Sequence, residues 1–534
     1  MNCSILDCTL RDGAYIVNGN FGEKNISGII AKLQDANIDL IECGWLKENE
    51  YIDGSSYFHV PNDLKKYVSK KTKQFILMID YNRYDCNKMP QKKEGDIDAI
   101  RVVFPVGKAV EGINVASTIR NKGYKVYLQL ANTSGYTDAE LINVSRLVND
   151  FRPEAVSIVD TFGKMYPWDL SRMLTILDHN LDISIGIGFH SHNNQQLSFA
   201  MAIQFIEWSI SAAPERRVIV DGTLCGMGRG AGNACTELLA NYMNLKYKSS
   251  YDMDSLMDCI DLYMSEFITK FNWGYSIPYA LAGMYGCHVN NVAYLIDKHR
   301  TKAKDMRNIF DSLDGNKRIV YDYDNLERVY KECTERKADD TYTRGWLFNT
   351  LKGKDVLLLL PGKSVETKRK EIEEFIEKKK PFVIGVNSYL AGYEYDMVFF
   401  NNDLKFEYFE DIIKNNIDKL NILMTSNMDK YDNEKIYRIN NPIGDSRWKY
   451  NNNSTIILLD LLKNIDNCNI YIAGFDGFLV DNQYASTALK ANIQNSSEFE
   501  LMQKELEQIL KEFKMENSID LNFITESPFE KYFN

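Results

Sequence analysis

Two histidines lie two residues apart in the segment GIGFHSHNN (186–194) of this 534-residue chain. The segment is typical of a β-strand, and alternate side chains of a strand point to the same face, so His190 and His192 are expected to lie side by side. Imidazole is a common metal ligand. The spacing therefore favours one shared cation, although such pairs also occur by chance among packed or surface histidines.

An acidic partner is found in the N-terminal segment SILDCTLRDGAY (4–15). Asp12 follows the first predicted strand, on the rim where the histidines are expected, and is a candidate third ligand. Arg11 beside it stays charged and needs anionic oxygen, either in a structural ion pair or on a reacting group. Asp7 is predicted to be structural, at the end of the strand.

A glycine-rich segment, DGTLCGMGRGAGNACTELL (221–239), offers a further oxygen donor in Asn233. Asn233 is either a metal ligand or the N-cap of the next helix. The glycines are not interpreted as a dinucleotide motif, because no early βαβ unit surrounds them. Imidazole mixed with hard oxygen donors favours Mn²⁺ or Mg²⁺, with Co²⁺ and Zn²⁺ as alternatives.

The elements that must position these residues alternate along the first 245 or so residues, with β-rich runs followed by amphipathic helical stretches. Eight parallel strands in that length favour a closed (β/α)8 TIM barrel over an open doubly wound sheet, so the fold class is α/β. The carboxyl ends of the strands then share one rim, where barrel enzymes carry their chemistry. The predicted strands are 3–7, 39–44, 74–79, 99–104, 125–130, 155–160, 184–190 and 217–222.

Three regions are expected along the chain. Residues 1–300 form the barrel with C-terminal helices, residues 301–350 a charged helical connector, and residues 351–534 a second, Rossmann-like α/β domain. The predicted strands of that second domain lie within 355–364, 381–388, 396–403, 420–426 and 469–477.

Three motifs, LDCTLRDG, FHSHNN and GTLCGMGRGAGN, occur in this order after the first, seventh and eighth predicted strands. Together they resemble the HMG-CoA lyase-like superfamily, also called the DRE-TIM metallolyases, over roughly residues 1–300. The resemblance implies a TIM barrel with one divalent cation on Asp12, His190 and His192, and Asn233 as a further ligand. It also implies that Arg11 stabilises an enolate oxygen.

The resemblance implies metal-dependent chemistry at the carbon beside the carbonyl of a 2-oxo acid, with a cation as Lewis acid and an enolate as the charged species. The Claisen-type synthases of the superfamily continue after RDG with Glu-Gln, and the 4-hydroxy-2-oxovalerate aldolases carry a histidine three residues after the metal aspartate. Here Ala14 and Tyr15 occupy these positions, so the chain departs from both branches at the proton-transfer step.

The segment PYALAGMYGCHVNN (278–291) is similar to the closing helix of the aldolase branch, which favours an aldolase acting on a pyruvate-type 2-oxo acid and an aldehyde. Tyr15, Tyr285 and His288 are the remaining candidate catalytic residues, with His288 as a substitute base. Packing within the helix is the alternative for Tyr285 and His288. An acyl-CoA-dependent synthase or lyase and a non-catalytic glycan-assembly or binding protein are the alternative functions.

Further rim residues are candidates for substrate binding. By resemblance, Thr161 contacts the substrate carboxylate and Asp160 orients it. Glu42 and Gln129 either line the site or satisfy hydrogen bonds inside the barrel.

The second domain is weakly similar to nucleotide-binding domains of sialyltransferase-like surface-polysaccharide proteins. A glycine between a buried strand and a helix exposes backbone N–H groups to an anion. A nucleotide or nucleotide-sugar is therefore one hypothesis, and a structural or oligomerisation module is the other. The candidate nucleotide-binding residues are Gly362, Ser364, Asn387 and Asp476.

Charge and cysteine content exclude several classes of protein. The net charge is −11 and the positive residues are scattered, so nucleic acid is not an expected partner. Ten cysteines without a CxxC pair indicate reduced thiols. With no signal sequence and no membrane-spanning run in view, a cytoplasmic homo-oligomeric enzyme, with a role in sugar-acid synthesis for surface glycans, is the expectation.

Overall fold

The eight β-rich segments of the N-terminal region form a closed barrel of parallel strands in the computed structural model. The predicted TIM barrel is confirmed: β1 pairs with β9 on one side and with β2 on the other, which closes the sheet. One additional two-residue strand, β3, pairs with β2 only. The strands are β1 Cys3–Asp7, β2 Leu40–Leu46, β3 Tyr57–Phe58, β4 Gln74–Asp80, β5 Ala99–Pro105, β6 Lys125–Ala131, β7 Ala155–Asp160, β8 Gly186–Ser191 and β9 Val218–Gly222.

The structure describes residues 2–299, 301–334, 338–428, 434–440, 453–478, 496–517 and 519–533. Contacts divide the chain into two compact units. One comprises Met1–Val292 with Leu313–Tyr321, and the other Ala293–Ser312 with Asp322–Asn534. The domain limits predicted from the sequence stay predictions.

Alternation along the strands decides which side chains enter the barrel. Leu40, Ala99 and Ile219 belong to one small buried cluster, whereas their neighbours Ile41, Ile100 and Val220 belong to the large cluster that includes the surrounding helices. Because strand side chains alternate with a period of two, the residues two positions after the first set also point into the barrel. These are Glu42, Arg101 and Asp221.

Helices follow most of the barrel strands, but the described connections after β2 and β4 contain 3-10 turns, Pro61–Tyr67 and Cys86–Lys88, in place of an α-helix, and the first of them also contains β3. A π-helical segment, Ile260–Met264, joins α9 to α10. The helices up to residue 299 are α1 Thr9–Asp12, α2 Ala14–Val17, α3 Glu23–Asp35, α4 Ala109–Asn121, α5 Asp138–Phe151, α6 Pro167–Asn180, α7 Ser198–Ser211, α8 Thr236–Tyr247, α9 Met253–Cys259, α10 Ser265–Lys270, α11 Ile277–Tyr285 and α12 Val289–His299.

Four helices lie within the charged region predicted as a connector. Three of them bury only a few positions each, such as Met306, Ile309 and Phe310, and the four-residue helix Gly315–Arg318 buries none. The helices are α13 Ala303–Ser312, α14 Gly315–Arg318, α15 Tyr323–Thr334 and α16 Thr341–Leu351.

The second sheet is parallel throughout, as predicted, and has the order β14-β13-β12-β11-β10-β15-β16. Apolar clusters cover both of its faces. The sequence predicted five of its strands and missed the short strands β14 and β16. The elements are β10 Asp355–Leu359, α17 Ser364–Thr367, α18 Arg369–Lys379, β11 Phe382–Val386, β12 Met397–Phe400, α19 Asp403–Asn415, β13 Asn421–Thr425, β14 Ile436–Ile439, α20 Ser454–Leu462, β15 Asn469–Ala473, α21 Ser496–Glu516 and β16 Leu521–Phe523.

No helix within the described ranges combines the length and the apolar character that a bilayer span requires.

Candidate metal centre at the mouth of the barrel

Three predicted ligands meet at the carboxyl ends of the barrel strands. Asp12 ends the short buried helix α1, and His190 and His192 lie at the end of β8 and just beyond it. One carboxylate oxygen and one nitrogen from each ring all lie within 4.8 Å of one another. Strand alternation thus places the two imidazoles on the same side, and α1 carries the carboxylate over to them.

A carboxylate orients the ring of His190. The Nδ1 of His190 lies 3.1 Å from Oδ2 of Asp221 on β9, so Nδ1 carries the proton and donates it to the carboxylate. The opposite nitrogen, Nε2, is buried and has no hydrogen-bond partner in the part of the chain that the structure describes. A histidine held in this way presents the Nε2 lone pair that a metal ion requires.

Asn233 contributes a second orphaned atom. Its Nδ2 donates to Oδ2 of Asp12 at 2.6 Å, whereas its buried Oδ1 has no partner among the described residues. Asn233 is not a helix N-cap, because α8 begins three residues later, at Thr236, and its N-cap is Cys235. The loop before it approaches closely, since a Cβ on Gly228 would lie 2.5 Å from Oδ2 of Asp12.

Electrostatics keeps these side chains in the protonation states of ligands. Burial raises the pKa of Asp12, but the charge of Arg11 and the two neighbouring histidines outweigh it and hold the pKa well below its usual range. Burial lowers the pKa of His192 to about 4, against the opposing effect of Asp12. Asp12 is therefore ionised and His192 neutral at neutral pH.

The donor set fits a divalent cation. Two unpaired buried atoms, Nε2 of His190 and Oδ1 of Asn233, lie beside an ionised carboxylate, and buried polar atoms of this kind are normally satisfied. A second group, Cys8, His190 and Asp221, suits a metal less well. Burial raises the pKa of the Cys8 thiol far above its ordinary value, and Asp221 is already engaged by Arg101.

A charged network crosses the barrel beneath the ligands. Arg11 donates from Nε to Oε2 of Glu42 at 2.7 Å and lies 2.5 Å from Oδ1 of Asp12. Its Nη2 donates no hydrogen bond to the described residues. Arg101 lies 3.2 Å from Oε2 of Glu42 and 2.7 Å from Oδ2 of Asp221. Glu42, a candidate lining residue, thus holds both arginines.

Arg101 and Asp221 were missed in the sequence interpretation. Arg101 interrupts the apolar run AIRVVF of β5, and Asp221 is the last residue but one of β9, in RVIVDG. Charged side chains are almost never fully buried unless they are paired, so an arginine within a buried strand was the available signal. Both side chains are about 1% exposed.

Two of the three candidates for proton transfer, Tyr15 and Tyr285, have their rings against arginines. Tyr15, on α2, contacts Trp45 edge to face and lies beneath the guanidinium of Arg229. The ring of Tyr285, at the end of α11, lies beneath Arg318.

His288 is not suited to the role of a base. Its Nδ1 accepts the backbone N–H of Asn290 at 3.1 Å, so in the neutral ring Nε2 carries the proton. Burial, followed by the charges of Arg229 and Arg83, lowers the pKa of His288 to about 3. Its Nε2–H is a hydrogen-bond donor at neutral pH.

The candidate substrate residues are largely engaged with the protein. Thr161 Oγ1 accepts the N–H of Asn132 at 2.7 Å, and Gln129 donates to Ser157. The carboxylate of Asp160 accepts the backbone N–H groups of Lys164 and Met165, so it orders the loop after β7 rather than the hydroxyl of Thr161. Burial raises the pKa of Asp160 to about 6.

Three of the four residues proposed for a nucleotide come together in the second sheet. Gly362 lies against Asp476, whose carboxylate accepts the backbone N–H and the hydroxyl of Ser364. The carboxylate of Asp476 thus accepts the backbone N–H of Ser364, which the sequence had predicted to face a bound anion. Asn387 instead forms hydrogen bonds with Asn401.

Comparisons with known proteins concern the barrel. The family model HMGL-like matches residues 106–262. A 4-hydroxy-2-oxovalerate aldolase of Carboxydothermus hydrogenoformans is 25% identical over 317 residues, 57% of this chain and 89% of the relative. One of Pelotomaculum thermopropionicum is 27% identical over 266 residues, 48% of this chain and 74% of the relative.

A solved structure, the N-terminal domain of a putative aldolase from Bacteroides vulgatus, is 25% identical, with a TM-score of 0.48, over 55% of this chain and 96% of that one. The family model covers the residues that include HSHNN and GRGAGN, two of the segments that build the metal group. The family model and the curated relatives support the HMG-CoA lyase-like superfamily, the DRE-TIM metallolyases, for the barrel of this chain.

Proposed function

We propose that the protein is a divalent-metal-dependent aldolase that forms or cleaves a carbon–carbon bond next to a 2-oxo acid of the pyruvate type. One observation carries the proposal. A largely buried Asp-His-His group, with one imidazole nitrogen that has no partner among the described residues, lies beside an arginine whose Nη2 donates to none of them. The names of the curated relatives, 4-hydroxy-2-oxovalerate aldolases, support the same reaction class.

The proposed ligands are Asp12, His190 and His192 with the amide oxygen of Asn233. The bound cation, for which the hard oxygen donors favour Mn²⁺ or Mg²⁺ over Co²⁺ or Zn²⁺, supplies Lewis acidity and fixed positive charge at the carbonyl of the 2-oxo acid.

Arg11 holds the second positive charge. Glu42 fixes its Nε and Asp12 one terminal nitrogen, which leaves Nη2 to donate to an oxygen that gains negative charge. The guanidinium is prearranged, because Trp45 packs at 5.8 Å and donates its indole N–H to the carbonyl of Arg11.

The groups proposed to donate a proton to the aldehyde oxygen lie at the mouth of the barrel. His288 stays neutral and donates through Nε2–H, and the phenol of Tyr15 is the other proton-bearing group beside Arg229. Tyr285 and Thr161 remain proposed substrate contacts.

Several finer hypotheses rest on the sequence alone. They are a nucleotide or nucleotide-sugar bound by the second sheet, a role in sugar-acid synthesis for surface glycans, a homo-oligomeric state and a cytoplasmic location. The ten cysteines are free, which agrees with a reducing compartment.

The test combines metal analysis with a substrate screen. We expect the purified wild type to carry about one divalent ion per chain and to release pyruvate from a 4-hydroxy-2-oxo acid without consuming a CoA ester. His190→Ala should lose both properties. His179→Ala, an exposed histidine on α6, is the matched control and should keep both.

Wild-type protein that binds no divalent ion, or a metal content unchanged in His190→Ala, contradicts the proposal. Consumption of an acyl-CoA in place of pyruvate release identifies the Claisen-type alternative. Bound metal without either reaction favours a non-catalytic protein.

A further inference from the structure

Two cations at the mouth of the barrel lie over tyrosine rings and pair with no carboxylate among the described residues. Arg229, in the loop after β9, lies 4.9 Å from the ring centre of Tyr15 and donates to the side chain of Asn290. Lys47, the residue after β2, lies 3.5 Å from the ring centre of Tyr57. Both are only partly exposed, so water does not fully solvate their charges.

A third cation faces the same space. Arg83 follows β4, lies 3.5 Å from Asp80 and donates to the hydroxyl of Tyr321 at 3.0 Å. Burial and then the charge of Arg83 lower the pKa of Lys47. Burial and then Arg229 and Arg83 lower the pKa of His288, which contacts Tyr321. Arg229 reaches His288 through Asn290, and Arg83 reaches it through Tyr321, so these two cations flank the same ring, and the charge of Arg83 also acts on Lys47.

The cations lie next to the proposed reaction centre. Gly228 packs against Asp12 and Asn233, and the following residue, Arg229, extends from there across Tyr15. Nearby acidic groups leave Arg229 and Lys47 without a carboxylate partner among the described residues. Asp12 is taken by Arg11 and Asn233, and Asp80 offsets only the charge of Arg83.

Positive charges gathered in a partly desolvated mouth repel one another unless an anion joins them. Arginine presents several N–H donors in one plane, which suits a carboxylate or a phosphate. Cations at the rim of a cleft also raise the local concentration of an anionic substrate.

Resting on the proposed aldolase function, we propose that the mouth binds an anionic substituent, a carboxylate or a phosphate, on the aldehyde half of the substrate. Arg229 is the specificity-determining residue, and Lys47 and Arg83 add charge around the same group. The substrate is thus a 2-oxo acid with a second anionic group beyond its hydroxyl carbon. Arg11 and the metal group serve the 2-oxo end.

The test measures condensation of pyruvate with two matched pairs of aldehydes. They are glyceraldehyde 3-phosphate with glyceraldehyde, and succinate semialdehyde with butanal. We expect the wild type to prefer the anionic member of at least one pair by about tenfold or more in kcat/KM. The pair that shows the larger preference identifies the anionic group that the mouth binds, phosphate or carboxylate.

The variants are Arg229→Gln and, as control, Arg146→Gln, an exposed arginine on the outer helix α5. Arg229→Gln should lose about tenfold to a hundredfold in kcat/KM for the anionic aldehyde. The neutral aldehyde and the KM for pyruvate should change by less than about twofold. Arg229→Lys should recover part of the loss, and Arg146→Gln should behave as wild type.

No preference for the anionic member of either pair overturns the inference and leaves the aldolase proposal standing. An equal loss for charged and neutral aldehydes, or a raised KM for pyruvate, also overturns it, because Arg229 would then bind the 2-oxo acid or support the loop.

If no aldehyde reacts, the aldolase proposal fails, and calorimetric binding to the metal-free full-length protein decides the inference. Glycerol 3-phosphate or succinate should bind, glycerol should not, and Arg229→Gln should weaken binding about tenfold. Absence of such binding to the wild type, or equal binding to Arg229→Gln, overturns it.

Discussion

At the scale of single residues, the group at the barrel mouth is defined by what its atoms leave unpaired. Asp221 satisfies one nitrogen of His190, and Asp12 takes the amide N–H of Asn233. The remaining nitrogen and oxygen are buried without a partner, which is costly in a folded protein unless a ligand supplies the missing contact. The sequence indicated the ligands but not the carboxylate that orients one of them.

Asp221→Asn tests that orienting role. The substitution keeps the shape of the side chain but removes the charge that accepts Nδ1–H of His190 and pairs with Arg101. We expect the affinity for Mn²⁺ to fall about tenfold to a hundredfold, since partners of metal-bound histidines have effects of this size. Competition with a fluorescent chelator measures it.

The control for this substitution is Asp150→Asn, which changes an exposed carboxyl of α5 and should leave the affinity unchanged. An Asp221→Asn protein that binds Mn²⁺ as tightly as the wild type shows that Asp221 serves Arg101 alone.

At the scale of elements, alternation along each strand separates the residues of the site from those that pack under the helices. His190, Glu42 and Arg101 point inward, whereas Asp7 points outward and accepts hydrogen bonds from Thr9 and Thr236. Asp7 is thus a buried carboxylate that joins β1 to α8, as expected for a structural residue. Burial raises its pKa to about 6, against the opposing effect of these hydrogen bonds.

Asp7→Asn should change how stability depends on pH. The pKa of Asp7 lies above the value of about 4 expected in the unfolded chain, so the protonated form stabilises the fold and this contribution is lost as the pH rises from about 4 to 6. Two pKa units correspond to about 3 kcal/mol. The free energy of unfolding of the wild type should fall by about that amount relative to Asp7→Asn over this range.

Urea unfolding of the barrel, followed by tryptophan fluorescence between pH 4.5 and 7.5, measures the difference. Asp150→Asn serves as the control and should follow the wild type at every pH. Parallel pH profiles for the wild type and Asp7→Asn would contradict a raised pKa at Asp7.

Periodicity and strand number made the barrel predictable, because eight β-rich runs separated by short connections leave few alternatives. The ends of the elements were harder to predict. The sequence left Asn233 as either a helix cap or a metal ligand. In the structure α8 starts only at Thr236, because the loop before it places Asn233 beside Asp12. The contact between Arg101 and Asp221 spans 120 residues, and no local pattern encodes a pairing of that separation.

At the scale of the whole molecule, each unit has its own parallel sheet and its own apolar core. The metal group draws its residues from the two ends of the barrel sequence, since Asp12 follows β1 and Asn233 follows β9. A ligand bound there joins segments that are more than 200 residues apart in the chain. Metal binding should therefore stabilise the barrel as a unit.

Hydrogen–deuterium exchange of the full chain with and without Mn²⁺ tests this expectation. A ligand at about a hundred times its dissociation constant stabilises the native state by about 2.7 kcal/mol. We expect slower exchange in β1, β8 and the loop 226–233 when Mn²⁺ is present. Segments β10 to β13 should exchange at unchanged rates, because the described residues of that sheet contribute nothing to the Asp-His-His group. The His190→Ala protein is the control and should show no metal-dependent change, whereas equal protection of both sheets would contradict a site confined to the barrel.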